Sequence, residues 1–184
     1  MSTQITYFVH STTADNQNGI SSGWNDLPLS KIGIQQSHEL RDALKGRSFD
    51  VIISSDFLRA RQTVEIVFPD HPHIVYDARL RECNYGDMNG QPASIVEPLQ
   101  ESVTTPFPNG ESYEDVLTRV ASLIEDIKRQ YPGKSVAFVS SKAPQLCLDV
   151  MLEGNTWEEA FANDWRKTKS WQAGWEYQVD ESAQ

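Results

Sequence analysis

The chain has 184 residues, of which 39% are hydrophobic and 23% charged, and its formal net charge is −10. This length and balance predict one globular domain over residues 1–184, burying roughly two-thirds of its unfolded surface. The acidic excess excludes a general nucleic-acid binder, because the Lys/Arg surplus that neutralises phosphates is absent, yet a local cluster of Arg and His can still oppose the global sign and hold a small anion.

In chain order, the N-terminal MSTQ lacks a basic stretch, so no signal peptide is expected. Apolar runs of strand length follow at Ile5–Val9, Asp50–Ser54, His73–Tyr76 and Ser135–Val139. Helical patterns lie between them. Ser30–Leu44 opens on a capping serine, and Asp56–Phe68 leaves a strand directly. Ser112–Tyr131 spaces Val116, Val120, Ile124, Ile127 and Tyr131 along one face, with Ser112 and Asp115 as its start signal. Ala143–Leu152 is a shorter helix closed by Gly154. Strands alternating with helices predict an α/β layered domain with a largely parallel sheet, and near-continuous apolar strands such as "VAFV" suit a sheet covered on both faces. Glu82–Gly110, rich in Gly and Pro, reads as an irregular excursion forming a lid or pocket wall. A tail from about residue 156 holds most of the tryptophans and is expected to pack onto the core, with a subunit interface or substrate wall as the sharper alternative. No segment reaches membrane-spanning length. Cys83 and Cys147 stand apart with no metal-like spacing, which predicts packing thiols in a reducing cytoplasm.

Ligands of open α/β sheets gather beyond the carboxyl ends of the strands. Three predicted strand ends therefore meet at one edge: His10, the Ser54–Ser55–Asp56 corner leading to Arg59, and Ser140–Ser141–Lys142. A neutral imidazole is a good nucleophile toward phosphorus near neutral pH. The reaction also needs donors around the phosphoryl oxygens and an acid for the leaving alcohol. Arg59, in the first turn of its helix, suits a bidentate anion clamp beside the helix N-terminus. Glu82 in "RLRECNYGD" suits the acid. Singly, each has an ordinary reading as a structural histidine, a salt-bridged arginine and a solvated carboxylate. A cysteine-phosphatase loop is excluded, since the position six residues after each cysteine holds Asn89 or Glu153 instead of arginine.

The segments "VHSTTADN", "SGWNDLPLSKIG", "IISSDFLRARQTVEI", "LRECNYGDMNG" and "PFPNGESYEDVLTRV" occur in this order. Together, from about Ile5 to Leu152, they resemble the histidine phosphatase superfamily, the phosphoglycerate mutase-like phosphatases. The resemblance implies a three-layer α/β/α sandwich, a small phosphate monoester as substrate, and neither metal nor other cofactor. It implies His10 as the nucleophile that becomes a phosphohistidine and Glu82 as the proton donor. Arg59, Asn16 and Thr13 are implied phosphate contacts, and Ser22 and Gly23 substrate contacts; Ser141, still able to donate a hydrogen bond, and Lys142, where the family often has glycine, are candidate phosphate and substrate contacts by compensation. A phosphatase is favoured over a mutase, whose chains in this family are longer. A homodimer is compatible with this reading.

Two positions depart from the family pattern. Val9 replaces the arginine before the nucleophile, and Ser141 stands where a second histidine is usual, as a natural or an engineered loss. Losing two charged contacts of roughly 1.5–3 kcal/mol each slows a reaction about 10²–10⁴-fold. Fewer cations are also expected to make His10 easier to protonate. Arg166, Lys167 and Lys169 of the tail are candidate replacements, weighed against a solvated helix face. The competing functions are a phosphate-binding pseudoenzyme and a pocket repurposed for acid–base chemistry without phosphoryl transfer.

Overall fold

Thr3–Val9 forms the first strand, β1, in the computed structural model, which describes residues 2–180. A one-turn helix α1 (Ala14–Gln17) and a two-residue strand β2 (Ile20–Ser21) follow, then α2 (Lys31–Ala43), β3 (Val51–Ser54), α3 (Leu58–Val67) and β4 (Ile74–Tyr76). After them come β5 (Gln91–Pro92), α4 (Ala93–Gln100), α5 (Tyr113–Gln130), β6 (Ser135–Ser140) and α6 (Lys142–Leu152). The tail forms α7 (Trp157–Ala162), α8 (Trp165–Thr168) and β7 (Trp175–Val179).

The main sheet has the order β4-β3-β6-β1-β7, and β2 pairs separately with β5. Strands β4, β3, β6 and β1 run parallel, and only the edge strand β7 is antiparallel. Side-chain alternation sorts the strands onto two buried faces. Phe8, Ile52, Ala137 and Val139 meet Leu40 of α2 and Ala60 and Val64 of α3 on one side. Ile5, Tyr7, Val51, Ile53, Val136 and Phe138 meet Val116, Val120 and Ile124 of α5 and Leu146 of α6 on the other. The result is the three-layer α/β/α sandwich with helices over both faces.

The predicted caps form. Ser30 accepts from the Gly33 amide, and Ser112 and Asp115 make a reciprocal capping box at the start of α5. Two expectations change. Glu82–Gly110 is not wholly irregular, because α4 forms within it despite Pro98, started by Pro92 and anchored by buried Val96 and Gln100. The tail does more than pack tryptophans. Its strand β7 extends the sheet, with Tyr177 and Val179 facing inward. Trp157 stacks on Phe161 beside Tyr113, and Trp165 meets Trp175, while Trp171 is exposed. Among the described residues no helix is long and apolar enough to cross a membrane.

Candidate active site

A cleft of about 380 Å³ opens at the carboxyl ends of β1, β3 and β6. Val9, His10, Asn16, Ser22, Gly23, Arg59, Glu82, Ser141 and Lys142 all line it. Of the sequence-predicted site residues, Thr13 alone is not brought to its wall. It is fully buried, where its hydroxyl and amide engage Asn16 as the capping box of α1.

His10 leaves β1 half-buried, and its amide donates to the Ser140 carbonyl at 2.7 Å. The ring Nδ1 lies 2.8 Å from the Ser11 carbonyl oxygen. A carbonyl can only accept, so Nδ1 carries the proton and Nε2 keeps its lone pair. Burial, then the positive charges of Arg59 and Arg166, lower His10 from 6.5 to about 3, against the opposing Ser11 hydrogen bond. Despite Val9 and Ser141, burial and the nearby arginines favour the neutral imidazole.

Arg59 enters from the first turn of α3 and is almost fully buried. Its NH2 donates to the Gly23 carbonyl at 2.8 Å and NH1 to the Asn25 carbonyl at 3.0 Å, and the guanidinium lies 4.8 Å over the Phe57 ring. Burial lowers its pKa, with Glu82 the first opposing charge. The "SGWND" loop is thus a cradle for the arginine. Gly23 has φ +53, and an added Cβ would lie 2.0 Å from Asn89 Oδ1, so only glycine fits. Ser22 donates to Asp15 Oδ2 at 2.8 Å, while exposed Asn16 uses its Oδ1 toward Thr13.

Glu82 occupies the opposite wall. Its Oε1 accepts from the amides of Cys83 (2.8 Å) and Ala143 (3.1 Å), and Oε2 from that of Lys142 (3.0 Å). The carboxylate therefore caps the start of α6, where the Ser141 side chain makes no capping bond. Arg119 of α5 fixes this segment by donating to the carbonyls of Arg79, Arg81 and Glu82, and Trp24 also donates to the Glu82 carbonyl. Glu111 in turn grips Arg119 at 2.9 Å, which gives the "NGES" motif its structural purpose. The Lys142 ammonium is engaged by Gln100 Oε1 at 3.0 Å and lies 3.5 Å from Asp164 Oδ2.

Residues the motifs did not single out also reach the cleft: Glu97 and Gln100 from α4, and Trp165 from α8. Arg166, one of the candidate tail cations, lines it too. Lys167 turns away toward Glu101 and the Phe161 ring, and Lys169 is exposed. The period of a helix identifies a buried face, as Val96 and Gln100 mark on α4, but not which cleft its other residues reach, and α8 is too short to display one.

Comparison with known proteins shows the family and the fold. The model of the histidine phosphatase superfamily (branch 1) matches residues 7–173. The uncharacterized phosphatase PhoE of Bacillus subtilis is 30% identical over 73% of this chain and 69% of its own. The fructose-2,6-bisphosphatase TIGAR of Xenopus tropicalis is 32% identical over 68% of this chain, but the match spans only 50% of that longer protein. Among solved structures, Bacillus stearothermophilus YhfR superposes with a TM-score of 0.78 at 24% identity, covering 87% of this chain and 84% of that one. With strand ends, motifs and family model in accord, the chain belongs to the histidine phosphatase superfamily.

Proposed function

We propose that the protein is a phosphohydrolase of a small phosphate monoester, working through a phosphohistidine at His10. The observation that carries this reading is the imidazole itself: its Nδ1 proton is given to the Ser11 carbonyl, and its Nε2 lone pair is kept unprotonated in the cleft. Nε2 attacks phosphorus, the ester P–O bond breaks, and the departing oxygen takes a proton from Glu82. Water then attacks the phosphohistidine with Glu82 accepting its proton, the P–N bond breaks, and inorganic phosphate leaves. Arg59 holds the phosphoryl oxygens with its uncommitted N–H groups, and the Ser141 hydroxyl adds a donor in the place of the missing imidazole. The names of the relatives, a phosphatase and a bisphosphatase, support ester hydrolysis as the reaction class. Both thiols are buried and unpaired, which fits a cytoplasmic setting.

One observation favours a second reading, a pseudoenzyme that binds a phosphorylated ligand without turnover. Glu82 already accepts three backbone N–H bonds, a structural task that keeps both oxygens occupied. Phosphate release from a panel of phosphomonoesters, in metal-free buffer, separates the two. The hydrolytic reading expects release that falls on the order of 10³-fold or more in His10→Ala. Release that survives His10→Ala sinks the phosphohistidine route. Phosphate binding without any release establishes the pseudoenzyme.

A further inference from the structure

The cations of the cleft differ in how many of their donors are already spent. Arg59 gives hydrogen bonds to two backbone carbonyls, and the Lys142 ammonium is shared between Gln100 and Asp164. Arg166 gives only one side-chain bond among the described residues, from NH1 to Asp164 Oδ1 at 2.9 Å. Its Nε–H and NH2 donors have no partner there, and the residue lines the cleft with His10 and Ser141.

Several contacts hold this arginine although α8 is a single turn. Asp164, with 1% of its side chain exposed, also accepts from the Arg166 amide at 3.1 Å, which fixes the turn. The guanidinium lies 4.5 Å over the Trp165 ring. That indole donates to Gln145 of α6 at 3.3 Å and packs on Trp175 of β7 at 5.6 Å. A flat cation is thus held by a buried carboxylate and an aromatic face, with its remaining fork of donors uncommitted. Asp164 Oδ2 makes no hydrogen bond and sits 3.5 Å from Lys142 Nζ, so one buried anion positions two cleft cations.

We propose that Arg166 binds the phosphoryl group of the substrate, supplying from the tail the positive charge missing at Val9 and Ser141. The inference rests on the phosphate-ester reading of the cleft but not on turnover. Its charge reaches the nucleophile as well, since Arg166 contributes to the lowering of His10. The tail is then part of the phosphate site, with β7 and the Trp165–Trp175 contact as the frame that carries it.

The test is calorimetric binding of inorganic phosphate to the wild type, Arg166→Gln and Lys169→Ala, beside NMR titration of the His10 ring. Thermal unfolding confirms that each variant folds, a control that matters because Arg166 pairs with the buried Asp164. Loss of a charged contact predicts a phosphate Kd about ten- to a hundredfold weaker in Arg166→Gln. The His10 titration moves upward, and Lys169→Ala, lining no part of the cleft, binds as the wild type does. Phosphate affinity within twofold of wild type together with an unmoved His10 titration overturns the proposal. Wild type that binds no phosphate overturns it too, along with the phosphate-ester reading. Arg166-dependent phosphate binding in a protein that hydrolyses nothing leaves this inference standing and removes only the hydrolytic one.

Discussion

The two walls of the cleft are prepared to different degrees. On the β1–α3 wall, backbone carbonyls take one proton each from His10 Nδ1 and from two Arg59 nitrogens, leaving the reactive Nε2 and the remaining guanidinium donors available. On the β6–α6 wall, the acid candidate Glu82 is itself the acceptor for three amides, and Ser141 stands beside it with a small neutral side chain. The comparison teaches that the groups proposed for attack and phosphate holding keep unspent lone pairs and donors, whereas the proposed proton donor also starts a helix.

Glu82→Gln probes the weaker wall most severely. If Glu82 protonates the leaving oxygen, kcat/KM for an alkyl phosphate, which reports the phosphorylation step, falls about 10²–10⁴-fold, while kcat/KM for p-nitrophenyl phosphate, whose leaving group departs without a proton, falls far less. Equal losses for both esters would reduce Glu82 to a cap, whose removal costs about 0.5–2 kcal/mol in thermal unfolding. Ser141→His is the intermediate test. Restoring one charged contact, worth roughly 1.5–3 kcal/mol, should raise kcat/KM about 10–150-fold, and an unchanged rate would show that Arg166 already supplies what Ser141 lacks.

A third test concerns the stronger wall and acid. His10 is lowered from 6.5 to about 3 in the folded chain, so the unfolded chain binds the extra proton between those values. Stability contributed by the neutral ring is present above about pH 6.5 and is lost as the pH falls toward 3. Asp149, raised to about 6 by burial, contributes with the opposite sign as its carboxyl accepts a proton. Subtracting the stability–pH curve of His10→Gln from that of the wild type isolates the histidine. A difference that is flat over this interval would mean the ring is hydrated and ordinarily basic, and the β1–α3 wall would lose its claim to preparation.

Much of the scaffold was legible because its forces are local or periodic. Val51–Ser54 and Ser135–Ser140 are short apolar runs that only a covered sheet accommodates, and Ser112 with Asp115 announces α5 by its own hydrogen bonds. The strand alternation of Trp175–Val179 was obscured by the surrounding tryptophans, and α4 by its own Pro98. Both depend on partners distant in sequence: β7 on β1, and α4 on the core around Val96. The same limit applied to Thr13, whose motif position suggested a ligand contact but whose hydroxyl is consumed by α1.

By itself the sequence determined the layered α/β domain, its family, and the placement of His10, Arg59, Glu82 and Ser141 near strand ends, since these follow from apolar pattern and residue order. Tertiary structure alone decided the state and freedom of those groups. It set the proton on Nδ1 of His10, committed Glu82 to the amides of α6, buried Thr13, and brought Arg166 from the far end of the chain to the cleft. The physical reason is that a side chain's protonation and its spare hydrogen-bonding capacity depend on burial and on which donors and acceptors surround it. Most of those neighbours arrive from elsewhere in the chain only when the layers close.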